Sequence, residues 1–422
     1  MHIVMLSDNL PPEAPGGAGK IAWELGRGLI AAGHRVTFVT TVRDETRVEN
    51  RHGITVHALH AQYPARFSAW LGLYNPWTVI PLNNLLRELS PDVVHAHSIS
   101  WYLSYHSLVI AQYAGAATVF TAHDVMPFAY GKLSHFASPD RPDQLDGWDY
   151  RLPPGYNLRR MRLRWNPFRN LSIRHTMFHF VDRRVSVSHA LKQALEANRL
   201  PPFQAVHNGV DPAAFAVPAA SVAALRQRLG LEGRRVILFG GRLNRMKGDL
   251  QLLAALRKVK AQVPDVTLLV LARSSDYAQS LVADHLDLTT TLVFGGWLQD
   301  AELAAAYRLS HVVASPSICF DSFPTMNLEG MAAGVVPVTT CFGGGGEAVL
   351  DGETGFVVNP YDVDTLADRL ITVLTDDALR AKMAEAGHQR FMQSFTLERQ
   401  VNAMLDVYAT ALDKKRREEA NG

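Results

Sequence analysis

The chain has 422 residues, more than a single domain with one hydrophobic core usually contains, so two domains are favoured. Hydrophobic residues make up 47% and charged residues 19% of the chain, a balance typical of well-packed globular proteins and not of disordered ones. The formal net charge of +2 excludes a global electrostatic attraction for nucleic acid, so anion binding has to be local.

Short β-branched runs alternate with longer helical patterns along the first half of the chain, as a doubly wound parallel sheet requires. The predicted strands of this half are "HIVMLS", "RVTFVT", "DVVHAH", "ATVFTA" and "RRVSVS". A second series consists of "RRVILFGG", "VTLLVLA", "TLVFGG", "HVVASP" and "GVVPVTT". The sequence therefore predicts an α/β fold with two Rossmann-like, doubly wound parallel-sheet domains that face each other across a ligand cleft.

The boundary between the domains is predicted near "HNGVDPAAFAVP", where glycine and proline interrupt regular structure. We predict an N-terminal domain over 1–212 and a C-terminal domain over 213–396. The last helix, over about 397–422, is expected to cross back to the first domain.

The first loop contains "GAGKIA", which formally matches the dinucleotide-binding pattern G-x-G-x-x-A. The match is weak, because a proline-rich segment separates the predicted strand from Gly17. Ile21 also occupies the position where a nucleoside-triphosphate loop needs Ser or Thr. Gly16 and Gly17 are left to open a helix whose N–H groups could bind phosphate, with a simple tight turn as the alternative.

Three further patterns favour structural roles. His95 and His97 alternate on a predicted strand, but no other Cys or His group has ligand spacing, so no metal site is predicted. "YDVD" at 361–364 is interpreted as a helix cap. Two cysteines are too few for a disulfide framework, and without a signal segment at "MHIVMLSDN" we expect a reducing cytoplasmic location.

The segment 156–184 carries eight arginines and one aspartate, interleaved with Met, Leu, Trp and Phe. Such a segment could make peripheral contact with the inner face of an anionic membrane, or bind an anionic, lipid-linked acceptor. A solvated basic face is an equal alternative, and nucleic acid is not expected as a partner.

The second domain begins with "FGGRLNRMKG", in which Arg242 and Lys247 lie on a loop after a predicted strand. Two cations there can neutralise a diphosphate without a metal, although solvated surface charge is the alternative. Further on, "CFDSFPTMNLEGMAAG" places Asp321 on a loop and Glu329 inside a predicted helix. A phosphate-binding helix start is predicted at Ser322, Phe323, Pro324 and Thr325, where every residue except proline offers a backbone N–H group. Glu329 could accept hydrogen bonds from both ribose hydroxyls.

These segments together resemble the retaining glycosyltransferases of family 4, which have the GT-B fold. The resemblance rests on "PPEAPGGAGKIAWELGRGLIAAGHRVTFVT", "TAHD", "HNGVD", "GRLNRMKG", "SPSICFDSFPTMNLEGMAAGVVPVTT" and "DGETGFVV", in the family order over nearly the whole chain. It implies transfer of a hexose from a UDP- or GDP-linked donor to a sugar, lipid-linked or small-molecule acceptor, with no cofactor or metal.

The resemblance also implies roles for single residues. Arg242 and Lys247 would bind the donor diphosphate, and Glu329 would bind its ribose. Asp321 would lie beside the donor sugar, and His123 would place its ring or carbonyl near the reacting carbon. The loop at Gly16 and Gly17 would close on the donor phosphate.

One departure is that the family usually has glutamate at the position of Asp321 and often "GFG" where this chain has "SFP". This bears on the choice of donor sugar more than on activity. Two other functions stay open at this stage: a sugar-nucleotide epimerase of the same fold, and a non-catalytic sugar-nucleotide-binding protein.

Overall fold

The computed structural model describes residues 1–13, 17–240, 243–272 and 275–421, and these form two parallel β-sheets with their helices. The first sheet contains β1 (His2–Leu6), β2 (Arg35–Val42), β3 (Arg47–Arg51), β4 (Ile54–His60), β5 (Val93–Ala96), β6 (Ala117–Ala122), β7 (Arg183–Ser186) and β8 (Gln204–Ala205). The second contains β9 (Arg235–Gly240), β10 (Val266–Leu271), β11 (Leu292–Phe294), β12 (Val312–Ser315), β13 (Val336–Thr340) and β14 (Phe356–Val358).

Helices lie between most successive strands of each sheet. Those before the second sheet are α1 (Gly17–Ala31), α2 (Ser68–Leu71), α3 (Pro76–Leu89), α4 (His106–Tyr113), α5 (Tyr156–Met161), α6 (Arg169–His179), α7 (His189–Ala197) and α8 (Ala219–Arg228). The later ones are α9 (Asp249–Gln262), α10 (Asp276–Ala283), α11 (Asp300–Arg308), α12 (Thr325–Ala332), α13 (Gly345–Ala348), α14 (Val363–Thr375), α15 (Asp377–Ser394) and α16 (Leu397–Asn421).

The strand order of the first sheet is β3-β4-β2-β1-β5-β6-β7-β8, and that of the second is β11-β10-β9-β12-β13-β14. Neighbouring strands run parallel throughout, except for the antiparallel pair of β3 and β4. The predicted α/β class with two parallel sheets is confirmed. Continuous apolar runs form these strands because helices cover both faces of a parallel sheet, as the complete burial of β6 and β10 illustrates.

The chain divides into two compact units, and the division differs in part from the predicted one. The first unit comprises 1–131, 150–208 and 397–422, and the second comprises 132–149 and 209–396. Residues 132–149 were predicted in the N-terminal domain, but they pack with the second unit.

Aromatic packing explains the placement of 132–149. The rings of Phe136 and Trp148 lie 5.7 and 5.0 Å from the ring of Phe342 in the second unit. The Asn359 amide also donates hydrogen bonds of 3.0 Å to the carbonyls of Arg141 and Gln144. An irregular segment without a strand or helix pattern gives no sign of this attachment in the sequence.

One local prediction is confirmed at a helix start. Asp362, in "YDVD", caps α14 by accepting a 2.9 Å hydrogen bond from the Thr365 N–H group. Ser188 caps α7 in the same way through the Leu191 N–H group at 3.0 Å.

Candidate functional site

The order in which successive strands are added to the second sheet reverses between β9 and β12. Strands β10 and β11 extend the sheet on one side of β9, whereas β12, β13 and β14 extend it on the other. In open α/β sheets, ligands bind beyond the carboxyl ends of the strands at such a switch point. The loop after β9 carries Lys247 and the loop after β12 carries Asp321, so both predicted residues lie there.

Lys247 and Asp321 form an ion pair. The Lys247 Nζ atom donates to Asp321 Oδ2 at 2.8 Å, and the Ser317 hydroxyl donates to the same oxygen at 2.9 Å. The Lys247 side chain is 38% exposed and that of Asp321 is 13% exposed. The sequence predicted both residues at a donor site but did not predict that they contact each other.

Both members of this pair are ionised. Burial opposes ionisation of Asp321, but Lys247, Lys132 and the hydrogen bond from Ser317 outweigh it, so the pKa of Asp321 lies below its ordinary value. The Asp321 carboxylate in turn raises the pKa of Lys247. The ammonium group is thus a fixed cation, and Asp321 orients it.

The backbone holds the two loops together at close range. Gly248, with φ of +74°, follows Lys247, and a Cβ atom there would lie 1.8 Å from the Pro316 carbonyl oxygen. Gly343, with φ of +112°, approaches Asp321 so closely that a Cβ atom would lie 2.1 Å from its carbonyl oxygen. Residues with a side chain would separate these loops. Gly343, in "CFGGGGE" after β13, therefore has a structural use, because it lets the backbone of this third loop approach Asp321.

Helix α12 begins beside this pair and is fixed by a buried polar network. The Ser315 hydroxyl at the end of β12 donates to Asn327 Oδ1 at 2.9 Å, and the Asn327 amide donates to the Thr339 hydroxyl of β13 at 2.9 Å. This network attaches the first turn of α12 to the carboxyl ends of two strands. The N–H groups of this turn consequently have a fixed place at the switch point.

The four residues predicted to bind phosphate before α12 differ in exposure. Ser322 and Thr325 are partly exposed, whereas Phe323 and Pro324 are buried. The Phe323 ring packs 5.9 Å from the ring of Phe395. Its side chain therefore belongs to the core, and only its backbone could contact a ligand.

Glu329 lies in the middle of α12 with 8% of its surface exposed. Its Oε2 atom accepts a 2.5 Å hydrogen bond from the hydroxyl of Tyr307 on α11. Burial, followed by the charge of Glu329 and this hydrogen bond, raises the pKa of Tyr307 well above its ordinary value, so the tyrosine acts as a donor. The sequence missed Tyr307, because a tyrosine in an alanine-rich helix resembles an ordinary core residue.

Two of the predicted donor-site residues, Gly16 and Arg242, lie outside the described residues. Gly17 is the first residue of α1, as the sequence predicted for the start of that helix.

A second cluster lies at the switch point of the first sheet, where β1 and β5 are neighbours. Asp8, His97 and His123 come shortly after the carboxyl ends of β1, β5 and β6. The His97 Nδ1 and His123 Nε2 atoms are 2.9 Å apart, and the two rings stack with centroids 5.2 Å apart. Of these residues, the sequence analysis assigned a functional role only to His123.

The histidines of this cluster are neutral at pH 7. Burial lowers the pKa of His123 to about 4, and burial with the neighbouring histidines lowers that of His97 well below its ordinary value. His123 can therefore offer a neutral ring or its carbonyl group, but not a permanent cation.

His95 is a structural residue. Its Nδ1 atom bonds to the Tyr408 hydroxyl and its Nε2 atom to the Thr121 hydroxyl, each at 2.7 Å. Both ring nitrogens are engaged in packing α16 against β5 and β6.

Asp8 is fully buried and organises the loop that follows β5. Its carboxylate accepts hydrogen bonds from the N–H groups of Trp101, Tyr102 and Leu103 at 2.8, 3.0 and 2.6 Å. Burial raises the pKa of Asp8 to about 6, while these three bonds oppose the rise. The sequence signal for this role is an acid two residues after a strand of apolar residues.

We expect Asp8→Asn to destabilise the protein by about 3 kcal/mol at pH 7, because an amide NH2 group would face N–H donors and one charged acceptor would be lost. Urea unfolding followed by tryptophan fluorescence measures the change. Asp92→Asn is the matched control, because the exposed Asp92 accepts one N–H bond, from His2 at 2.6 Å. Equal stability of the two variants would contradict the role assigned to Asp8.

Two family models match the chain in succession. The model of "Glycosyltransferase Family 4" matches residues 15–214, and that of "Glycosyl transferases group 1" matches residues 221–390. Together they span most of the chain, and they meet where the sequence places the domain boundary.

Curated relatives match over the whole chain or over part of it. A glycogen synthase of Mycobacterium tuberculosis is 27% identical over 435 residues, covering 97% of this chain and 95% of the relative. A phosphatidyl-myo-inositol mannosyltransferase of Mycolicibacterium smegmatis is 35% identical over 185 residues, covering 44% of this chain and 46% of the relative.

Among solved structures, HepE of Anabaena in complex with UDP and glucose has a TM-score of 0.71 and 19% identity, covering 97% of this chain and all of that one. This likeness is one of fold.

Proposed function

The chain belongs to the family 4 glycosyltransferases of GT-B fold, and from this premise we propose that it transfers a hexose from a nucleoside-diphosphate sugar to an acceptor hydroxyl, with retention of configuration and without a metal ion. The observation that carries the proposal is the Lys247–Asp321 pair beside the start of α12 at the switch point of the second sheet. An epimerase is not favoured, because the two curated relatives described above are named as a synthase and a transferase.

Lys247 supplies the charge that the donor diphosphate needs. Its ammonium group has three N–H bonds, of which one points to Asp321, so the others can donate to phosphate oxygens. The first-turn N–H groups of α12 add partial positive charge nearby. Arg242 is proposed as a second cation on the same loop as Lys247.

Glu329 is assigned to the ribose of the donor and Asp321 to its hexose. Glu329, oriented by Tyr307, accepts hydrogen bonds from the ribose hydroxyls. Asp321 lies beside the hexose and also fixes Lys247, so one side chain links recognition of the sugar with binding of the phosphate.

The proposed transfer proceeds on one face of the hexose. The bond between the anomeric carbon and the leaving phosphate oxygen breaks as the acceptor oxygen bonds to the same face. The acceptor proton passes to the leaving phosphate, so no strong protein base is needed. Lys247 stabilises the negative charge that grows on the diphosphate, which is the electrostatic contribution of the protein.

His123 is proposed to lie near the transferred hexose. Its ring is neutral, so it can hydrogen-bond to the sugar without opposing positive charge that develops at the anomeric carbon.

A donor panel tests the function. The full-length protein is incubated with UDP-glucose, UDP-N-acetylglucosamine or GDP-mannose and an acceptor extract, with and without a chelator. We expect release of nucleoside diphosphate, a product with retained configuration by NMR, and equal rates in both conditions. An epimerised donor, binding without turnover, or activity that depends on added Mg²⁺ or Mn²⁺ would each contradict part of the proposal.

Asp321→Glu restores the acid usual in the family and is expected to change the choice of donor sugar. The carboxylate moves by one methylene, so its contact with the hexose changes while its charge beside Lys247 remains. We expect the ratio of kcat/KM between two donor sugars to shift about tenfold, with nucleoside diphosphate affinity within about twofold. Asp364→Glu, in an exposed ion pair with Lys258, is the control. If the ratio of kcat/KM between the two donor sugars is unchanged, Asp321 does not take part in sugar recognition.

A further inference from the structure

The segment 156–184 exposes large apolar side chains. Leu163 is fully exposed, and Phe168 and Phe178 are 65% and 67% exposed. Leu158 and Leu171 are also exposed. Scattered apolar side chains are normal on a surface, but five within one short segment need an explanation.

Helix α6 shows that this exposure has a pattern. Ile173 and Met177 are buried, as expected for the core side of the helix. The opposite side carries Leu171, Arg174 and Phe178 at spacings of three and four residues, where an ordinary surface helix has polar residues. Apolar and cationic side chains therefore share the solvent side of α6.

Cations surround these apolar side chains. Arg159, Arg160, Arg162, Arg164 and Arg174 are exposed, and we call them, with the five apolar residues, the basic-apolar surface. The single acid of the segment, Asp182, is buried and paired with Lys414 at 2.8 Å. Segment 156–184 therefore contributes exposed arginines and no exposed acid to the basic-apolar surface.

Two arginines that the sequence grouped with this segment have structural roles instead. Arg169 is buried and donates to the Met126 carbonyl at 2.7 Å. Arg184 donates to the carbonyls of Met177 and Val181 at 2.8 and 2.9 Å, near the end of α6.

A cavity of about 490 Å³ opens beside α6. Its lining includes Arg174, His175, His179 and Arg199, together with Leu171 and Phe178. Two guanidinium groups next to apolar walls match a phosphate group attached to a hydrocarbon chain.

We propose that the basic-apolar surface docks on an anionic phospholipid bilayer, with a lipid phosphate in the cavity beside α6. Leu163, Phe168 and Phe178 would enter the interface, where apolar burial favours binding, while the arginines attract the negative leaflet. Exposed aliphatic side chains favour lipid over nucleic acid, which would require a stacking platform. Among the described residues, no helix is long and apolar enough to cross a bilayer. The proposal does not depend on the donor site.

Sedimentation with vesicles tests the charges. The full chain is expected to bind phosphatidylglycerol vesicles and not phosphatidylcholine vesicles. Arg162→Gln/Arg164→Gln/Arg174→Gln should lower the partition coefficient about 100-fold, since each arginine near the surface contributes about fivefold. The control Arg43→Gln/Arg87→Gln/Arg417→Gln removes three other exposed arginines of the first unit and should stay within about threefold of wild type.

The apolar side chains are tested at 0.5 M salt, where charge attraction is screened. Leu163→Ser/Phe168→Ser should lower the remaining binding at least about tenfold, because two apolar side chains no longer enter the interface. Leu286→Ser, at an exposed position of the second unit, is the control. Unchanged melting temperatures show that each variant is folded. Equal binding to both vesicle types, no binding, or a triple variant that behaves like its control would overturn the proposal.

Discussion

Lys247→Ala should lower the turnover number about thirty- to a thousandfold and weaken donor binding much less. Charge on the leaving diphosphate grows in the transition state, so a cation that contacts it stabilises that state more than the bound donor. One such charge-assisted contact contributes roughly 2 to 4 kcal/mol. Steady-state kinetics with the best donor of the panel, together with nucleoside diphosphate titrations, separate the two effects.

A second variant is needed, because Lys247→Ala also removes the Nζ atom that lies 2.8 Å from Asp321 Oδ2. In Lys247→Ala/Asp321→Asn, no uncompensated carboxylate remains. The reference is Asp321→Asn alone, because Asp321 is also proposed to contact the hexose. If Lys247 only neutralises Asp321, the double variant is as active as Asp321→Asn; if Lys247 stabilises the leaving group, the double variant has a much lower turnover number than Asp321→Asn. Lys258→Ala disrupts an exposed Lys–Asp pair in the same unit and should leave turnover within about twofold of wild type.

Glu329→Ala should weaken the donor and the free nucleoside diphosphate by the same factor, about ten- to a hundredfold, because both contain the ribose. Isothermal titration with each ligand measures the two affinities. Tyr307→Phe removes the hydroxyl that orients Glu329 at 2.5 Å and should cause a smaller loss of about threefold to tenfold.

The matched control for this prediction is Glu385→Ala, an exposed glutamate inside α15 of the same unit. If Glu329→Ala leaves nucleoside diphosphate affinity within about twofold of wild type, an effect below roughly 0.5 kcal/mol, Glu329 does not hold the ribose. A loss for the donor with none for the nucleoside diphosphate would place Glu329 at the hexose instead.

The strands of both sheets could be predicted because a buried parallel strand is apolar on both faces. All six residues of "ATVFTA" are buried in β6, and so are all six of β10. The hairpin of β3 and β4 was not predicted, since "RVENR" in β3 is mostly charged and pairs only at the sheet edge. Its pairing depends on the neighbouring strand and not on its own composition.

The candidate site was predictable residue by residue but not contact by contact. Lys247 and Asp321 each follow a predicted strand, and carboxyl ends of parallel strands share one edge, so their common location follows from the topology. Their ion pair joins residues 74 positions apart and depends on two close backbone approaches, at Gly248 and Gly343. The sequence contains these glycines but not the distances that make them necessary.

The return of α16 to the first unit affects how that unit folds during synthesis. Helix α16 contributes to the hydrophobic core of the first unit through Val401, Met404, Val407 and Tyr408. In the sequence, however, residues 209–396 of the second unit separate α16 from the rest of that core. At a translation rate of about 5–20 residues per second, the ribosome needs roughly ten to forty seconds to make this intervening stretch. During that interval an apolar face of the first sheet is open to chaperones or to misassociation. The second unit, although later in sequence, can therefore complete its core before the first unit does.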